Sequence, residues 1–332
     1  MGLMLKPGAY GPLPTFFTDD QEIDYESYKK HLLNPVCAGS LGEAVHLSPE
    51  ERVALIDFIR RTLHDAGMTD MPIVAGVGGS STRETIRLAH AAANAGADAG
   101  LVILPAYYAA SLSTDQEQII QYYVDICKGS PVSNSTPIMM NGYSSNPQIP
   151  LFLYNFPANS AGLDMSSAII EAVIRQAPNL CGVKLTCGGS VAKLVRLSSF
   201  INSEPSVNSC RPYPFLLLDG LISDLTPWMK CGGHGTVSGI PNFAPAASMR
   251  LWALLNKPDL TEDERREAER IQSILSNADV AAVPAEYVLH KLHGYGMDPR
   301  RPLLRLGEAE GEQLMSQFKE MIELEAEYSE AA

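Results

Sequence analysis

The sequence has no long hydrophobic run, and none of its 332 residues lies in a stretch apolar enough to cross a bilayer. Residues 1–10 contain no apolar segment of signal-peptide length. The chain begins Met-Gly, but Lys6 stands where the N-myristoylation motif needs Ser or Thr. We therefore expect no membrane span, no secretory signal and no N-terminal lipid.

Positive charge is scarce: the sequence has 25 Lys and Arg residues but 38 Asp and Glu residues, and the formal net charge is −13. The resulting field repels polyanions, and no run of basic residues interleaved with aromatic ones reverses it locally. Nucleic acids and anionic membrane surfaces are therefore not expected partners.

Closely paired cysteines are also absent. No CxxC pair occurs among the six cysteines, which are Cys37, Cys127, Cys181, Cys187, Cys210 and Cys231. Cys37 and Cys181 fall in apolar, strand-like runs typical of buried thiols, which indicates a reducing, cytoplasmic location. His290 and His293 lie three residues apart on a predicted helix without a third ligand at a suitable spacing. No metal site is predicted.

What the chain does contain is a regular alternation of short apolar runs and helical segments. Strands are predicted near residues 9–16, 36–39, 72–77, 99–104, 150–154, 180–184, 214–218 and 234–238. Helices are predicted near residues 24–33, 49–66, 82–95, 113–127, 165–176, 189–199, 220–230 and 243–256. Eight such units predict an α/β fold, a (β/α)8 TIM barrel, and an open doubly wound sheet is the alternative.

Polar residues before several of these helices fit the pattern of N-terminal caps. Ser48 precedes Pro49 and is followed three residues later by Glu51, which is a capping box with proline at the first helical position. Ser81 and Thr114 are followed by glutamate in the same way. We expect helices to begin directly after these three caps.

Two segments depart from the alternation. Residues 129–150 are rich in Ser, Asn and Pro, which predicts a surface excursion outside the core. Beyond residue 257 the pattern is helical throughout. We expect residues 1–257 to form the barrel and residues 258–332 to form a helical extension packed on it.

Lys184 is the one charged residue in the apolar run from Leu180 to Leu185. Burial disfavours the charged form of an amine, and a neutral amine is a nucleophile toward ketones, so Schiff-base chemistry is the first hypothesis. The alternative is a lysine that begins in the strand, extends to solvent and has no catalytic role.

Further polar residues follow predicted strands at the end where (β/α)8 enzymes place their active sites. Ser40 follows the second strand, Tyr107 and Tyr108 follow the fourth, Tyr154 ends the fifth and Lys184 ends the sixth. We expect them at one mouth of the barrel. A Schiff-base enzyme needs an amine, a proton shuttle and donors for a carboxylate there.

Four motifs occur in the order and on the strands typical of a known family. They are Gly39-Ser40-Leu41-Gly42-Glu43, Tyr154-Asn155-Phe156-Pro157, Gly182-Val183-Lys184 and Gly232-Gly233-His234-Gly235-Thr236-Val237-Ser238. With these motifs, residues 8–300 resemble the dihydrodipicolinate synthase and N-acetylneuraminate lyase family of class I, pyruvate-handling aldolases.

The resemblance implies roles for individual residues. Lys184 would form an imine with the 2-oxo carbon of the substrate, and the Tyr154 phenol would transfer protons above that imine. Ser40 and the backbone N–H of Leu41 would bind the carboxylate of the 2-oxo acid.

The resemblance also implies an assembly. Tyr107 would enter the active site of a neighbouring subunit, or Tyr108 would if the alignment shifts by one residue. A homodimer or homotetramer is therefore expected. Val237, in the last motif, is expected at the substrate, whereas Glu43 would shape its loop.

Two positions depart from the synthase branch of the family and favour its aldolases. Where the synthase has an arginine for its aldehyde substrate, this chain has Ala158-Asn159, and a neutral amide cannot replace a guanidinium. Thr186 offers a hydroxyl two residues after Lys184, as in lyases and hydroxy-oxo-acid aldolases. Asn159 and Thr186 are therefore candidate substrate-binding residues.

The expected reaction is retro-aldol cleavage of a 4-hydroxy-2-oxo acid to pyruvate and an aldehyde, catalysed by a carbon–carbon lyase. A 2-keto-3-deoxy sugar acid or 4-hydroxy-2-oxoglutarate would be the substrate, and no cofactor is required beyond the lysine. Two alternatives are a synthase that condenses pyruvate with an aldehyde, and a barrel that binds a 2-oxo acid without catalysis.

Overall fold

Eight parallel strands form the central sheet of the computed structural model, which describes residues 5–32, 36–37, 39–130, 139–140, 143–144, 149–205, 207, 211, 213–279 and 285–330. Strands β1 to β8 are Gly8–Tyr10, Val36–Cys37, Val74–Gly76, Ala99–Ile103, Leu151–Asn155, Leu180–Leu185, Leu216–Asp219 and Gly235–Val237. They lie in the order β1-β8-β7-β6-β5-β4-β3-β2. Because the two end strands are consecutive in the chain, this is the order of a ring, and the predicted (β/α)8 barrel is confirmed.

Helices alternate with these strands and continue beyond the last one. Helices α1 to α12 are Tyr25–Lys30, Pro49–Asp65, Thr82–Asn94, Ala109–Thr114, Gln116–Gly129, Ser167–Gln176, Ser190–Ser203, Leu225–Lys230, Pro245–Leu255, Glu262–Asp279, Ala285–His293 and Glu308–Ser329. Within the described ranges, none of the helices is both long and apolar enough to cross a membrane.

The caps predicted at Ser48 and Ser81 are confirmed. The Ser48 hydroxyl accepts the Glu51 N–H at 3.2 Å, and the Glu51 carboxylate accepts the Ser48 N–H at 2.7 Å. Ser81 likewise accepts an N–H of the first turn of α3. The third prediction is wrong, because Asp115, with an extended backbone, caps α5, and Thr114 ends the separate helix α4.

The first strand, predicted through residue 16, ends at Tyr10. Pro12 and Pro14 have no backbone N–H to donate to a ladder, so pairing with β8 stops before them. Farther along, Phe17 forms an isolated antiparallel bridge to Asp298. The chain after β1 therefore leaves the barrel wall and meets the C-terminal extension.

Alternate residues of each strand face the inside of the barrel, as the two-residue period of a strand requires. Phe152 and Tyr154 of β5 are buried together with Leu216 and Leu218 of β7 in this interior. The intervening residues are buried against the helices and include Leu153, Val183, Leu185 and Leu217. Each such side chain contributes about 1.5–3 kcal/mol by burial. Lys184 pairs in register with Tyr154 and with Leu218, so it lies on the inward face.

The helices after residue 257 contact the barrel at several points. The Glu325 carboxylate of α12 accepts the N–H groups of Ala246 and Ala247 at the start of α9, at 3.0 and 2.9 Å. Arg250 of α9 forms two hydrogen bonds, of 2.8 and 2.7 Å, with the Glu267 carboxylate of α10. The division of the chain into domains at residue 257 stays a prediction.

The surface excursion predicted for residues 129–150 lies mainly outside the described residues, which omit 131–138, 141–142 and 145–148. Of its described part, Met139–Met140 pairs antiparallel with Tyr143–Ser144 in a two-stranded sheet separate from the barrel sheet.

Candidate active site

Lys184 is the penultimate residue of β6, at the end of the barrel where the strands end. Only 5% of the residue is exposed, so the alternative of a lysine that extends to solvent is wrong. Gly182, two residues earlier on the same face, allows the neighbouring strand to approach, since a Cβ there would lie 2.4 Å from the Leu216 carbonyl oxygen. The strand therefore places the amine inside the barrel.

The Tyr154 phenol is the hydrogen-bond partner of this amine. Lysine Nζ donates to the phenol oxygen at 3.2 Å and lies 4.3 Å from the centroid of the ring. Tyr154 is itself 3% exposed, and its ring packs 5.7 Å from that of Phe156. In the part of the chain that the structure describes, Lys184 forms no ion pair.

The loop after β2, residues 39–43, brings a hydroxyl to the same place. The Ser40 hydroxyl oxygen lies 3.5 Å from the Tyr154 phenol oxygen. The turn is closed by the Glu43 N–H, which donates to the Ser40 carbonyl at 3.2 Å. Leu41 is half-buried, and its N–H has no hydrogen-bond partner among the described groups. A hydroxyl and an N–H are therefore available to bind an anion beside the amine.

A second hydroxyl lies directly after β6. Thr186 Oγ1 is buried, and no group in the described ranges forms a hydrogen bond with it. The Thr186 N–H donates to the Asn155 carbonyl at 2.8 Å, which fixes the residue against the end of β5. Because buried hydroxyls normally have a partner, this one is suited to bind a hydroxyl of a ligand. Val237, the last residue of β8, is 5% exposed and forms part of the inner wall.

Three predicted site residues lie on the surface of the chain. Tyr107 is 87% exposed and Tyr108 is 70% exposed, in the loop between β4 and α4, with their rings edge to face at 5.0 Å. Asn159 is exposed at the end of a short 3-10 helix, Pro157–Asn159. The residues brought together at the mouth are Lys184, Tyr154, Ser40, Leu41, Thr186 and Val237.

The barrel has an amine, a phenol and a loop with donors for an anion at its mouth, and comparison of the whole chain with known protein families agrees with this arrangement. The model of the dihydrodipicolinate synthetase family matches residues 8–321. The chain belongs to this family. An Emericella nidulans protein named "Probable 4-hydroxy-2-oxoglutarate aldolase, mitochondrial" is 34% identical over 97% of this chain and 96% of its own. The L-threo-3-deoxy-hexylosonate aldolase of Aspergillus niger is 32% identical over 97% of this chain and 96% of its own.

A solved structure has the same fold. The crystal structure of a dihydrodipicolinate synthase family protein from Coccidioides immitis matches with a TM-score of 0.78, over 99% of this chain and 100% of that one. Its sequence is 24% identical, so this likeness concerns the fold alone. The predictions of the family, of the barrel and of an aldolase-type carbon–carbon lyase are therefore confirmed.

A buried amide, which is not among the residues predicted for the site, fixes the loop after β5. The Asn155 side chain is fully buried, accepts the Met165 N–H at 3.0 Å and donates to the Asp164 carboxylate at 2.8 Å. Lys193 of α7 forms an ion pair with the same carboxylate. A polar residue that ends an apolar strand next to Tyr154 was the available signal, because a buried amide needs partners.

Asp219, the last residue of β7, is not among the predicted site residues either. It is fully buried, its Oδ1 accepts the Gly220 N–H at 2.7 Å, and its Oδ2 has no partner in the described part of the chain. Burial, reinforced by Asp224 and Asp279, raises the pKa of this carboxyl to about 8. The strand period directs it outward, since Leu218 faces inward, so it lies behind the mouth rather than in it.

A cavity of about 660 Å³ lies at the opposite end of the barrel, where β7 and β8 begin. Two of its polar lining residues support the fold: Arg211 donates to the Leu180 carbonyl at 3.0 Å, and His234 Nδ1 accepts the Leu217 N–H at 3.0 Å. Among the residues described, no group of three or more His, Cys, Asp or Glu could hold a metal ion. That the reaction needs no cofactor stays a prediction.

Proposed function

We propose that the protein is a class I aldolase that cleaves a 4-hydroxy-2-oxo acid to pyruvate and an aldehyde through an imine on Lys184. The observation that supports this most directly is the buried Lys184 amine, 3.2 Å from the Tyr154 phenol oxygen. A nucleophile within hydrogen-bond reach of a proton-transfer group is what this chemistry requires.

Imine formation begins with the substrate carboxylate bound by the Ser40 hydroxyl and the Leu41 N–H. The neutral amine of Lys184 attacks the 2-oxo carbon and gives a carbinolamine. The carbinolamine hydroxyl takes a proton from Tyr154 and leaves as water. The resulting iminium ion withdraws electrons from C3 and so prepares the next bond to break.

Cleavage then uses the iminium on Lys184 and the Tyr154 phenolate. The C4 hydroxyl loses its proton to the Tyr154 phenolate, the C3–C4 bond breaks, and its electron pair enters the enamine as the aldehyde departs. The enamine takes a proton at C3 from Tyr154. Water then hydrolyses the pyruvyl iminium to pyruvate and the free amine, and the proton released returns to the Tyr154 phenolate. The Thr186 hydroxyl, which has no partner among the described residues, is available for a substrate hydroxyl farther from the reacting carbon.

The proposed substrates are 2-keto-3-deoxy sugar acids and 4-hydroxy-2-oxoglutarate. The names of the Emericella nidulans and Aspergillus niger relatives support them. The Ala158-Asn159 pair supports the 2-keto-3-deoxy sugar acids in particular, because their aldehyde product carries no carboxylate and so needs no guanidinium. Pyruvate release should be assayed over a panel of these acids and N-acetylneuraminate. Release from none, with condensation of pyruvate and aspartate semialdehyde instead, would favour the synthase.

Borohydride trapping tests the imine directly. Pyruvate and borohydride should add a reduced pyruvyl group irreversibly at Lys184, located by mass spectrometry of peptides. Lys184→Ala should lose both labelling and turnover but keep its thermal denaturation midpoint. Lys193→Ala, which removes another largely buried lysine, should still be labelled at Lys184. Tyr154→Phe should still be labelled at Lys184, but more slowly, and should lower kcat about 10²- to 10⁴-fold.

Two results would oppose this assignment. An unlabelled wild-type protein would exclude the imine and leave only a barrel that binds 2-oxo acids. A Tyr154→Phe enzyme with wild-type turnover would exclude the phenol as the proton shuttle.

We also propose that the chain forms a homo-oligomer in which Tyr107, or alternatively Tyr108, enters a neighbouring active site. The large exposed fractions of these two adjacent tyrosines support this, since exposed aromatic pairs are typical of interfaces. A cytoplasmic location is proposed as well. The free thiols of the described cysteines, Cys127, Cys181, Cys187 and Cys231, support a reducing compartment.

A further inference from the structure

Glu43 ends the loop of residues 39–43 that contains Ser40 and Leu41. Its backbone lies in the left-handed region, with φ 51° and ψ 38°. A residue with a side chain adopts this conformation only where surrounding contacts fix it. Glu43 is 6% exposed, so these contacts are internal to the protein. The partners of its carboxylate therefore determine where the loop lies.

The partners come partly from the far end of the chain. The backbone N–H of Arg300 donates to the Glu43 carboxylate at 3.1 Å, and His46 Nδ1 lies 2.8 Å from the same oxygen. The Arg300 guanidinium donates to the Glu51 carboxylate at 2.7 Å and to the His46 carbonyl at 3.1 Å. It also donates to the Gln21 carbonyl at 2.5 Å. Arg300 therefore joins the loops that follow β1 and β2.

An arginine is well suited to this position. Its planar guanidinium offers five donors in a fixed geometry, so one cation can bond two carbonyls and a carboxylate at the same time. The Arg300 side chain is only 14% exposed, and its guanidinium stacks 4.5 Å from the centroid of the Phe17 ring. Because water has little access to these contacts, they constrain the loops more firmly than surface ion pairs do.

We propose that Arg300 is a positioning residue for the carboxylate of the 2-oxo acid. Its guanidinium, bonded to Glu51, His46 and Gln21, holds residue 300 against the loop. The backbone N–H of residue 300 can then fix Glu43, and through Glu43 the Ser40 hydroxyl and the Leu41 N–H that bind this carboxylate. The C-terminal extension thereby takes part in substrate binding. The inference rests on the proposed function, because it concerns the anion site of that reaction.

Arg300→Ala and Arg300→Lys test the proposal, with Arg301→Ala as the matched control. The Arg301 side chain is exposed. The backbone N–H of Arg301 donates to Gln21 Oε1 at 2.8 Å, and Arg301→Ala keeps this hydrogen bond. Lysine keeps the charge of Arg300 but cannot span the same acceptors. Thermal denaturation identifies the variants that fold and can be compared.

The measurement is the rate of borohydride trapping against the concentration of pyruvate and of pyruvamide, which has a neutral amide in place of the carboxylate. Arg300→Ala should raise the pyruvate concentration for half-maximal trapping about 10- to 100-fold, because the charge-assisted donors of the loop move. The maximal rate and the trapping of pyruvamide should stay unchanged. Arg300→Lys should fall between Arg300→Ala and wild type, and Arg301→Ala should match wild type.

Equal losses for pyruvate and pyruvamide would mean that Arg300 supports only the fold, and an unchanged half-saturation in Arg300→Ala would mean that the loop does not depend on it. Either result overturns the proposal while leaving the aldolase intact. A wild-type protein that is not trapped overturns both.

If Arg300→Ala does not fold, Glu43→Gln replaces it. The amide oxygen can still accept the Arg300 N–H, but the charge of the contact is lost. This variant should raise the half-saturation for pyruvate and leave pyruvamide unaffected, and an unchanged half-saturation for pyruvate would overturn the proposal.

Discussion

Asp219 is the residue whose proton links the folded state most directly to pH. Its Oδ1 accepts a backbone N–H, its Oδ2 is unpaired among the described groups, and Asp224 and Asp279 lie nearby. Burial first, and Asp224 second, raises its pKa from 3.8 to about 8. The folded protein therefore holds this proton at neutral pH, whereas the unfolded chain releases it.

Asp219→Asn should remove this dependence. The stability contributed by the protonated carboxyl is complete below about pH 4, declines as the pH rises, and is lost above about pH 8. An amide can accept the Gly220 N–H without titrating. The free energy of unfolding of the variant, measured in urea, should therefore exceed that of wild type by about 1–3 kcal/mol at pH 9 but not at pH 5. Parallel pH profiles for the two proteins would contradict this.

Strands β6 and β7 approach each other so closely at the mouth that the position after β7 accepts only glycine. A Cβ on Gly220 would lie 1.8 Å from Thr186 Oγ1 and 2.6 Å from Thr186 Cβ. Glycine at this position leaves room for the Thr186 hydroxyl, which has no hydrogen-bond partner in the described part of the chain. The spacing of two strands therefore sets the position of a hydroxyl proposed to meet the substrate.

Gly220→Ala should displace Thr186 and lower stability by about 1–3 kcal/mol, as overpacking does. The KM for a 4-hydroxy-2-oxo acid should rise, whereas pyruvate trapping at Lys184 should persist. Chemical denaturation and steady-state kinetics measure the two effects. In a Thr186→Ala background the stability cost of Gly220→Ala should shrink, because the clashing hydroxyl is gone. Fully additive costs would show that the methyl group does not clash with Thr186.

At the level of the whole molecule, the barrel could be predicted because its signals are local. Caps such as Ser48 and apolar runs such as residues 180–185 recur along the chain, and the position of Lys184 at the end of its apolar run places it at the mouth. The end of β1 before residue 12 could also be predicted, because Pro12 has no N–H to donate to a neighbouring strand. The contact between Glu43 and Arg300 could not be predicted, because it joins residues 257 positions apart and no local pattern marks that arginine.

Assembly is the other property of the whole molecule, and Tyr107 provides a test of it. Tyr107→Ala and Lys184→Ala should each be nearly inactive alone, but active when the two chains are co-expressed, because a hybrid dimer contains one site with both residues intact. Random pairing gives about a quarter of wild-type sites. Co-expression of Tyr108→Ala with Lys184→Ala is the matched control and should show no such gain. Recovery in the Tyr108 mixture alone would assign the role to Tyr108, and recovery in neither would exclude a site shared between subunits.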